Sequence, residues 1–168
     1  MTITVERVLS ATPEVEALVG ELDAVLGAAY DAHQRHGLAI AQLFEPHLRF
    51  FLAWSEGEAV GCGGVALCAD HAEVKRMYTR PAARGRGVAS ALLRRIEDEA
   101  RAAGLPVLRL ETGVRQPEAI ALYQKSGFRR CGPFGLYARL PADRIEASLF
   151  YEKPLDAVAP SGGGAGSP

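Results

Sequence analysis

Two arginines and two glycines, Arg84-Gly85-Arg86-Gly87, stand directly before Val88, Leu92, Leu93, Ile96, Ala100 and Ala103, apolar residues at helical spacing. That period predicts an amphipathic helix from about Arg86 to Ala103. No Ser, Thr, Asp or Asn stands in reach to cap its first N–H groups, so these need another acceptor, water or a ligand. Between Glu73 and Glu97 there are seven basic residues and no acid. Open N–H groups, glycines that tolerate positive φ, and arginines together suit a bound anion, above all a phosphate. The alternative is a glycine-capped helix with a solvated basic face.

The elements around this stretch must position it. Ala72 to Tyr78 reads as an interior strand with one working edge, and Pro81 ends its pairing. After the helix, Gly104 and Pro106 form a stop, and Val107 to Glu111 is a short strand suited to a sheet interior. Pro117 to Ser126 is the last full helix, closed by Gly127. Phe128 to Cys131 and Ser148 to Glu152 read as closing strands, with Pro133 to Tyr137 on the loop between them.

Upstream, Thr2 to Val8 alternates as a first strand. Thr12-Pro13-Glu14 opens a helix whose buried face is Val15, Leu18, Val19, Leu22, Val25 and Leu26. A second helical piece is expected at about Ala28 to His36, then a loop or short helix over Gly37 to Pro46. His47 to Trp54 and Ala59 to Leu67 form a hairpin around Glu56-Gly57-Glu58. Gly61, Gly63 and Gly64 mark a bulge or close packing. The order β-α-β-β-β-α-β-α-β-β fits one α/β (α+β) sheet domain over residues 1–155. Residues 156–168 are Gly, Ser, Ala and Pro with few core formers and read as a flexible tail.

A chain of 168 residues, 48% apolar and 23% charged, has the balance of an ordinary globular domain. A net charge of −1 argues against general affinity for nucleic acid or membrane and makes the basic run a local feature. No apolar stretch approaches the roughly 20 residues that span a bilayer, and MTITVERVLS lacks the pattern of a secretory signal. Cys62, Cys68 and Cys131 have no paired ligand spacing. Cys62 and Cys68 read as small core residues, and a covalent role is open for Cys131 alone. His33, His36, His47 and His71 form no recognisable metal site, so a cytoplasmic, metal-free protein is expected.

Arg84-Gly85-Arg86-Gly87-Val88-Ala89 resembles the acyl-CoA loop of the GNAT superfamily of N-acetyltransferases, Gln/Arg-x-x-Gly-x-Gly/Ala. VKRMYTRPAARGRGVASALL resembles that family's fourth strand, loop and third helix, and LETG, Leu110 to Gly113, its fifth strand. QPEAIALYQKSGF, Gln116 to Phe128, resembles the helix that ends in Leu-Tyr before a Gly-Phe pair. These pieces, in this order, cover roughly residues 50 to 155, and the chain is identified as a small, single-domain bacterial member. The resemblance implies the GNAT acyl-CoA N-acyltransferase fold, a mixed sheet of about six to seven strands flanked by about four helices.

Transfer of an acyl group from a thioester to an amine needs a neutral amine, donors for the carbonyl oxygen and a proton for the departing thiolate. The resemblance assigns candidates to these tasks. Glu73, eleven residues before Arg84, is the candidate base, although it has Lys75 and Arg76 beside it to pair with. Glu111 and His71 stand in reserve. Tyr123 matches the phenol that protonates the CoA sulfur. Met77, Tyr78 and Thr79 match the strand end that pairs with pantetheine, and Gln116 stands where the family often has Asn. Arg84, Gly85, Arg86, Gly87, Val88 and Ala89 would hold the pyrophosphate. Tyr30, Phe44, Phe134 and Tyr137 are candidates for acceptor contact.

The expected function is therefore acetyl-CoA-dependent N-acetylation of a primary amine on a small molecule or peptide, by direct attack in a ternary complex. Acetyl-CoA is a co-substrate, no metal or nucleic acid takes part, and a homodimer is frequent in the family. The alternative is a non-catalytic acyl-CoA-binding sensor.

Overall fold

The computed structural model describes residues 2–156. The expected tail, from 157 onward, lies outside the described residues. Seven strands form one sheet in the order β1-β2-β3-β4-β5-β7-β6. They are β1 Ile3–Val8, β2 Leu48–Ser55, β3 Glu58–Leu67, β4 Ala72–Thr79, β5 Val107–Gly113, β6 Arg129–Cys131 and β7 Ser148–Pro154. β4 and β5 run parallel, and every other neighbouring pair is antiparallel. The helices are α1 Pro13–Ala29, α2 Val88–Ala102, α3 Pro117–Lys125 and a single-turn α4, Ala142–Ile145.

α1 begins where Thr12 and Pro13 direct it, with the Val15 amide donating to Thr12 Oγ1 at 3.3 Å. Val15, Leu18, Val19 and Leu22 pack onto Phe50, Leu52 and Cys62 on one face of the sheet. α2 covers the other face with Val88, Leu92, Leu93, Ile96 and Ala100, which meet Phe51, Val65, Val74 and Leu110. Leu92 and Ile96 are completely buried, so each stabilises the fold by about 1.5–3 kcal/mol. β2 turns into β3 through Glu56 and Gly57, both at positive φ (52° and 81°), as a two-residue hairpin loop of the I′ kind requires.

Three local expectations shift. α2 begins at Val88, not Arg86, because Gly85 and Gly87 both take left-handed φ (76° and 84°) and a right-handed helix cannot start before them. The second helical piece is a 3₁₀ turn, Ala32–Gln34, after Tyr30 leaves α1 with extended backbone. The segment between β6 and β7 is not a plain loop: it holds a 3₁₀ turn, Gly135–Arg139, and α4.

Candidate active site

The sheet opens at its centre. β4 and β5 pair only at Ala72–Leu108 and Glu73–Arg109, so from Val74 onward β4 diverges from β5 and leaves that edge unladdered. A bulge sharpens the divergence. Cys62 stands opposite Tyr78 and Gly64 opposite Lys75, so Gly63 alone faces both Arg76 and Met77. Arg76 takes φ of 56°, a left-handed value uncommon for a residue with a side chain. A Cβ on Gly63 would run into the Met77 sulfur, so a larger residue there would displace that side chain.

Two cavities meet in this opening, sharing Leu22, Met77, Gln116, Ala119 and Tyr123 as common wall. The larger, about 720 Å³, runs from Met77, Tyr78 and Thr79 past Arg84, Gly85, Gly87, Val88, Ala89 and Ser90 to the first residues of α3. Gly87 is the α2 cap and offers no side chain to the free N–H groups of the first turn, where no acid stands. A Cβ on Gly85 or Gly87 would meet nothing, so their glycines serve the backbone conformation and an unobstructed approach. Arg84 reaches across to Glu118 of α3 at 3.2 Å. This uncapped, acid-free helix start suits the phosphates of a nucleotide-bearing thioester.

The smaller cavity, about 140 Å³, lies beyond Tyr123. On its floor Lys75 Nζ sits 2.6 Å from Glu73 Oε2. Tyr137 donates to that same oxygen at 2.8 Å and accepts from Lys75 Nζ at 3.1 Å. Glu111 stands separately, accepting from Ser148 Oγ at 2.7 Å. Burial raises the Glu111 carboxyl above its ordinary value of 4.5, and the Ser148 bond works against that rise. The Tyr123 phenol is pushed well up by burial, with the Glu111 charge adding to it. It therefore stays protonated at neutral pH.

Tyr30 closes one wall. Its hydroxyl accepts from the Arg115 amide at 2.7 Å and donates to Gln116 Oε1 at 3.1 Å, while the Arg115 guanidinium lies over its ring. The ring occupies the space where a Cβ on Gly113 would be, so the strand end there accepts only glycine without rearrangement.

The structure thus brings Tyr30, Glu73, Tyr137, Tyr123 and Gln116 to the smaller cavity, and Met77 to Thr79, Arg84, Gly85, Gly87, Val88 and Ala89 to the larger. Phe44 and Phe134 are not brought there. Phe44 packs edge-on against Phe50 in the α1 core, and Phe134 is buried among His71, Tyr137 and Phe150. Their apolar surface found core partners instead. His71 is also away from both cavities, its Nδ1 2.7 Å from Asp70 Oδ1. Arg86 is exposed and lines neither cavity. Cys62 is buried, its thiol raised to about 12 by desolvation, which suits an inert core residue. Sequence reasoning passed over Arg76 and Arg35, which also line the smaller cavity. The glycine opposite Arg76 was the one sign of the bulge that turns it inward.

A splayed parallel pair beside an uncapped phosphate-type loop defines an acyl-CoA transferase fold, and the Acetyltransferase (GNAT) family profile matches residues 18–128. The chain belongs to the GNAT family and is an acetyl-CoA-dependent N-acetyltransferase. It is 47% identical over 155 residues to an IAA acetyltransferase of Azospirillum brasilense, covering 91% of this chain and 98% of that one. A Klebsiella pneumoniae protein assigned as an acyl-CoA N-acyltransferase has a crystal structure that superposes with a TM-score of 0.73 at 34% identity, covering 92% and 98% of the two chains. A GNAT acetyltransferase of Elizabethkingia anophelis, crystallised with acetyl-CoA bound, shares the fold at 19% identity, with a TM-score of 0.65 and coverage of 91% and 98%. Among the described residues no group of His, Cys, Asp or Glu is placed to hold a metal ion. No helix among them is long and apolar enough to cross a membrane.

Proposed function

We propose that the enzyme acetylates a primary amine by direct attack, with Glu111 taking the amine proton and Tyr123 supplying the proton for the thiolate. The observation that carries this reading is the junction of the two cavities at Tyr123. In it, the phosphates lie on the first N–H groups of α2 at Val88 and Ala89, and the pantetheine arm runs along Met77 to Thr79. Bound acetyl-CoA supplies the acetyl thioester. The amine arrives from the smaller cavity, a nitrogen–carbon bond forms and the carbon–sulfur bond breaks. Glu111 gains one proton and Tyr123 gives one up, and return of the proton through solvent resets both groups.

Glu111 is preferred over Glu73 as the base. Glu73 is already engaged at one oxygen by a cation and a hydroxyl, which leaves that oxygen no room for an incoming amine. Glu111 has a single hydroxyl donor and a raised proton affinity, closer to what proton transfer at neutral pH needs. A cytoplasmic, homodimeric enzyme completes the proposal, following the family resemblance.

Calorimetry with acetyl-CoA, beside a Gly87→Asp variant, tests the donor site. Binding lost in the variant supports the loop as phosphate site, because aspartate adds negative charge where φ favours glycine. A variant that binds acetyl-CoA as well as the wild type would remove the loop from the proposal. Free-thiol release in Tyr123→Phe tests the acid, and an unchanged rate would refute that role.

A further inference from the structure

The cavity beyond Tyr123 is lined by charges of both signs, and one buried donor among them has no answering acceptor. Three cations, Arg35, Lys75 and Arg76, line it against two anions, Glu73 and Glu111. Lys75 is matched to Glu73. Arg76 is buried, its side chain 4% exposed, and bonds Asp23 of α1 through Nη2. Asp23 itself is more than half exposed and does not line the cavity. Among the described residues, Arg76 Nε is left buried with no hydrogen-bond partner. A buried donor without an acceptor costs stability unless a ligand supplies one. The strained backbone at Arg76 makes the placement costlier still, as expected where position serves function.

Arg35 stands close to the same corner. It belongs to the short segment after the 3₁₀ turn in which Gly37 packs on the Arg76 guanidinium. Its own guanidinium lies against the end of α1, where a Cβ on Gly27 would meet Nη1 at 3.3 Å. Among the described residues it forms no ion pair. The carboxylate with proton affinity to spare, Glu111, is on β5 beside Ser148. The lining thus combines two arginines with a carboxylate and a phenol.

From this lining and the unanswered Arg76 Nε we infer that the acceptor is a small amine that also carries an anionic group, a carboxylate or phosphonate, held by Arg35 and Arg76 while its nitrogen faces Glu111. The inference rests on the proposed N-acetylation at this junction. A guanidinium fork suits both anions, since it offers parallel donors to two oxygens of a planar carboxylate or a phosphonate. A neutral or purely cationic amine would leave Arg76 Nε unanswered and would offer no acceptor to Arg35. Polyamines and aminoglycoside-like acceptors are accordingly disfavoured at this site.

The test is a matched panel with acetyl-CoA, followed by thiol release: α- and β-amino carboxylates, their methyl esters, aminoalkylphosphonates and a diamine. The anionic members should exceed their esters in kcat/KM at least ten-fold, and the carboxylate and phosphonate arms identify which anion is preferred. Arg35→Glu should cut that ratio at least ten-fold, chiefly through KM, and Arg35→Lys should restore most of it. Arg35 is exposed, so its variants should fold, whereas Arg76 variants risk the bulge. Esters or the diamine used as well as the anions would overturn the inference and leave N-acetylation standing. No transfer to any member, with acetyl-CoA still bound, would also overturn it. Failure to bind acetyl-CoA would instead sink the proposed function beneath it.

Discussion

The Tyr137 hydroxyl donates to Glu73 Oε2 at 2.8 Å, and the same oxygen lies 2.6 Å from Lys75 Nζ. Burial and the Glu73 charge hold the Tyr137 phenol far above its ordinary range, so it remains a donor. The three side chains form a closed set on the cavity floor, and the set behaves as structure: a neutralised carboxylate pinned in one place.

Glu73→Gln should therefore act on stability more than on chemistry. It strands Lys75, whose side chain is 14% exposed, beside a neutral amide. Breaking a buried pair from one side costs up to about 3–5 kcal/mol. Chemical denaturation should show the loss, and the folded variant should keep kcat within about ten-fold of wild type at neutral pH.

Glu111→Gln should do the reverse. Removing a general base lowers kcat by roughly 10²–10⁴-fold, and the acid limb of the kcat/KM profile, which in wild type lies above the usual carboxylate range, should vanish. Its effect on stability has the opposite sign. Because the folded Glu111 pKa is raised above 4.5, the native state keeps a proton that the unfolded chain releases. Stability from this group thus falls as pH rises from 4.5 through the folded value, and stays reduced above it. The glutamine variant should melt higher than wild type at pH 7, by about 2–4 °C for each kcal/mol gained, and the gap should close towards pH 4.

Tyr123→Phe removes a hydroxyl and leaves the ring packed on Phe128. Acetyl-CoA binding should hold while thiol release slows by roughly 10²-fold or more. Isothermal calorimetry and a thiol assay on one preparation separate the two effects. Equal losses in both would mark the hydroxyl as a binding group.

Gly113→Ala forces a methyl group into the Tyr30 ring. The overpacking should cost about 1–3 kcal/mol and loosen Tyr30 from Arg115 and Gln116. Thermal melting should register the first effect, and a raised acceptor KM the second.

Much of this was legible in the chain. Thr12-Pro13 marked the start of α1, Gly104 its counterpart after α2, and the paired glycines before Val88 the anion-type helix start, because caps and φ > 0 turns are local chemistry. Local chemistry was silent on pairing at distance. Whether Glu73 meets an amine or Lys75 depends on Tyr137, sixty-four residues downstream. Phe44 and Phe134 look alike as free aromatics in sequence, and only tertiary packing assigned both to core clusters. Arg76 was hidden for a related reason: alternation places it on the wrong face, and a bulge set by Gly63 on the neighbouring strand reverses that.

The wall shared by the two cavities has a consequence for acyl-chain length. With the thioester at Tyr123 as proposed, any carbon beyond its carbonyl extends into the 140 Å³ proposed to receive the amine. Donor and acceptor thus compete for volume. An acetyl group takes little of it, and each added methylene leaves less space for the incoming nitrogen and its companion charge. On that proposal, the length of the acyl donor and the choice of acceptor become a single geometric decision.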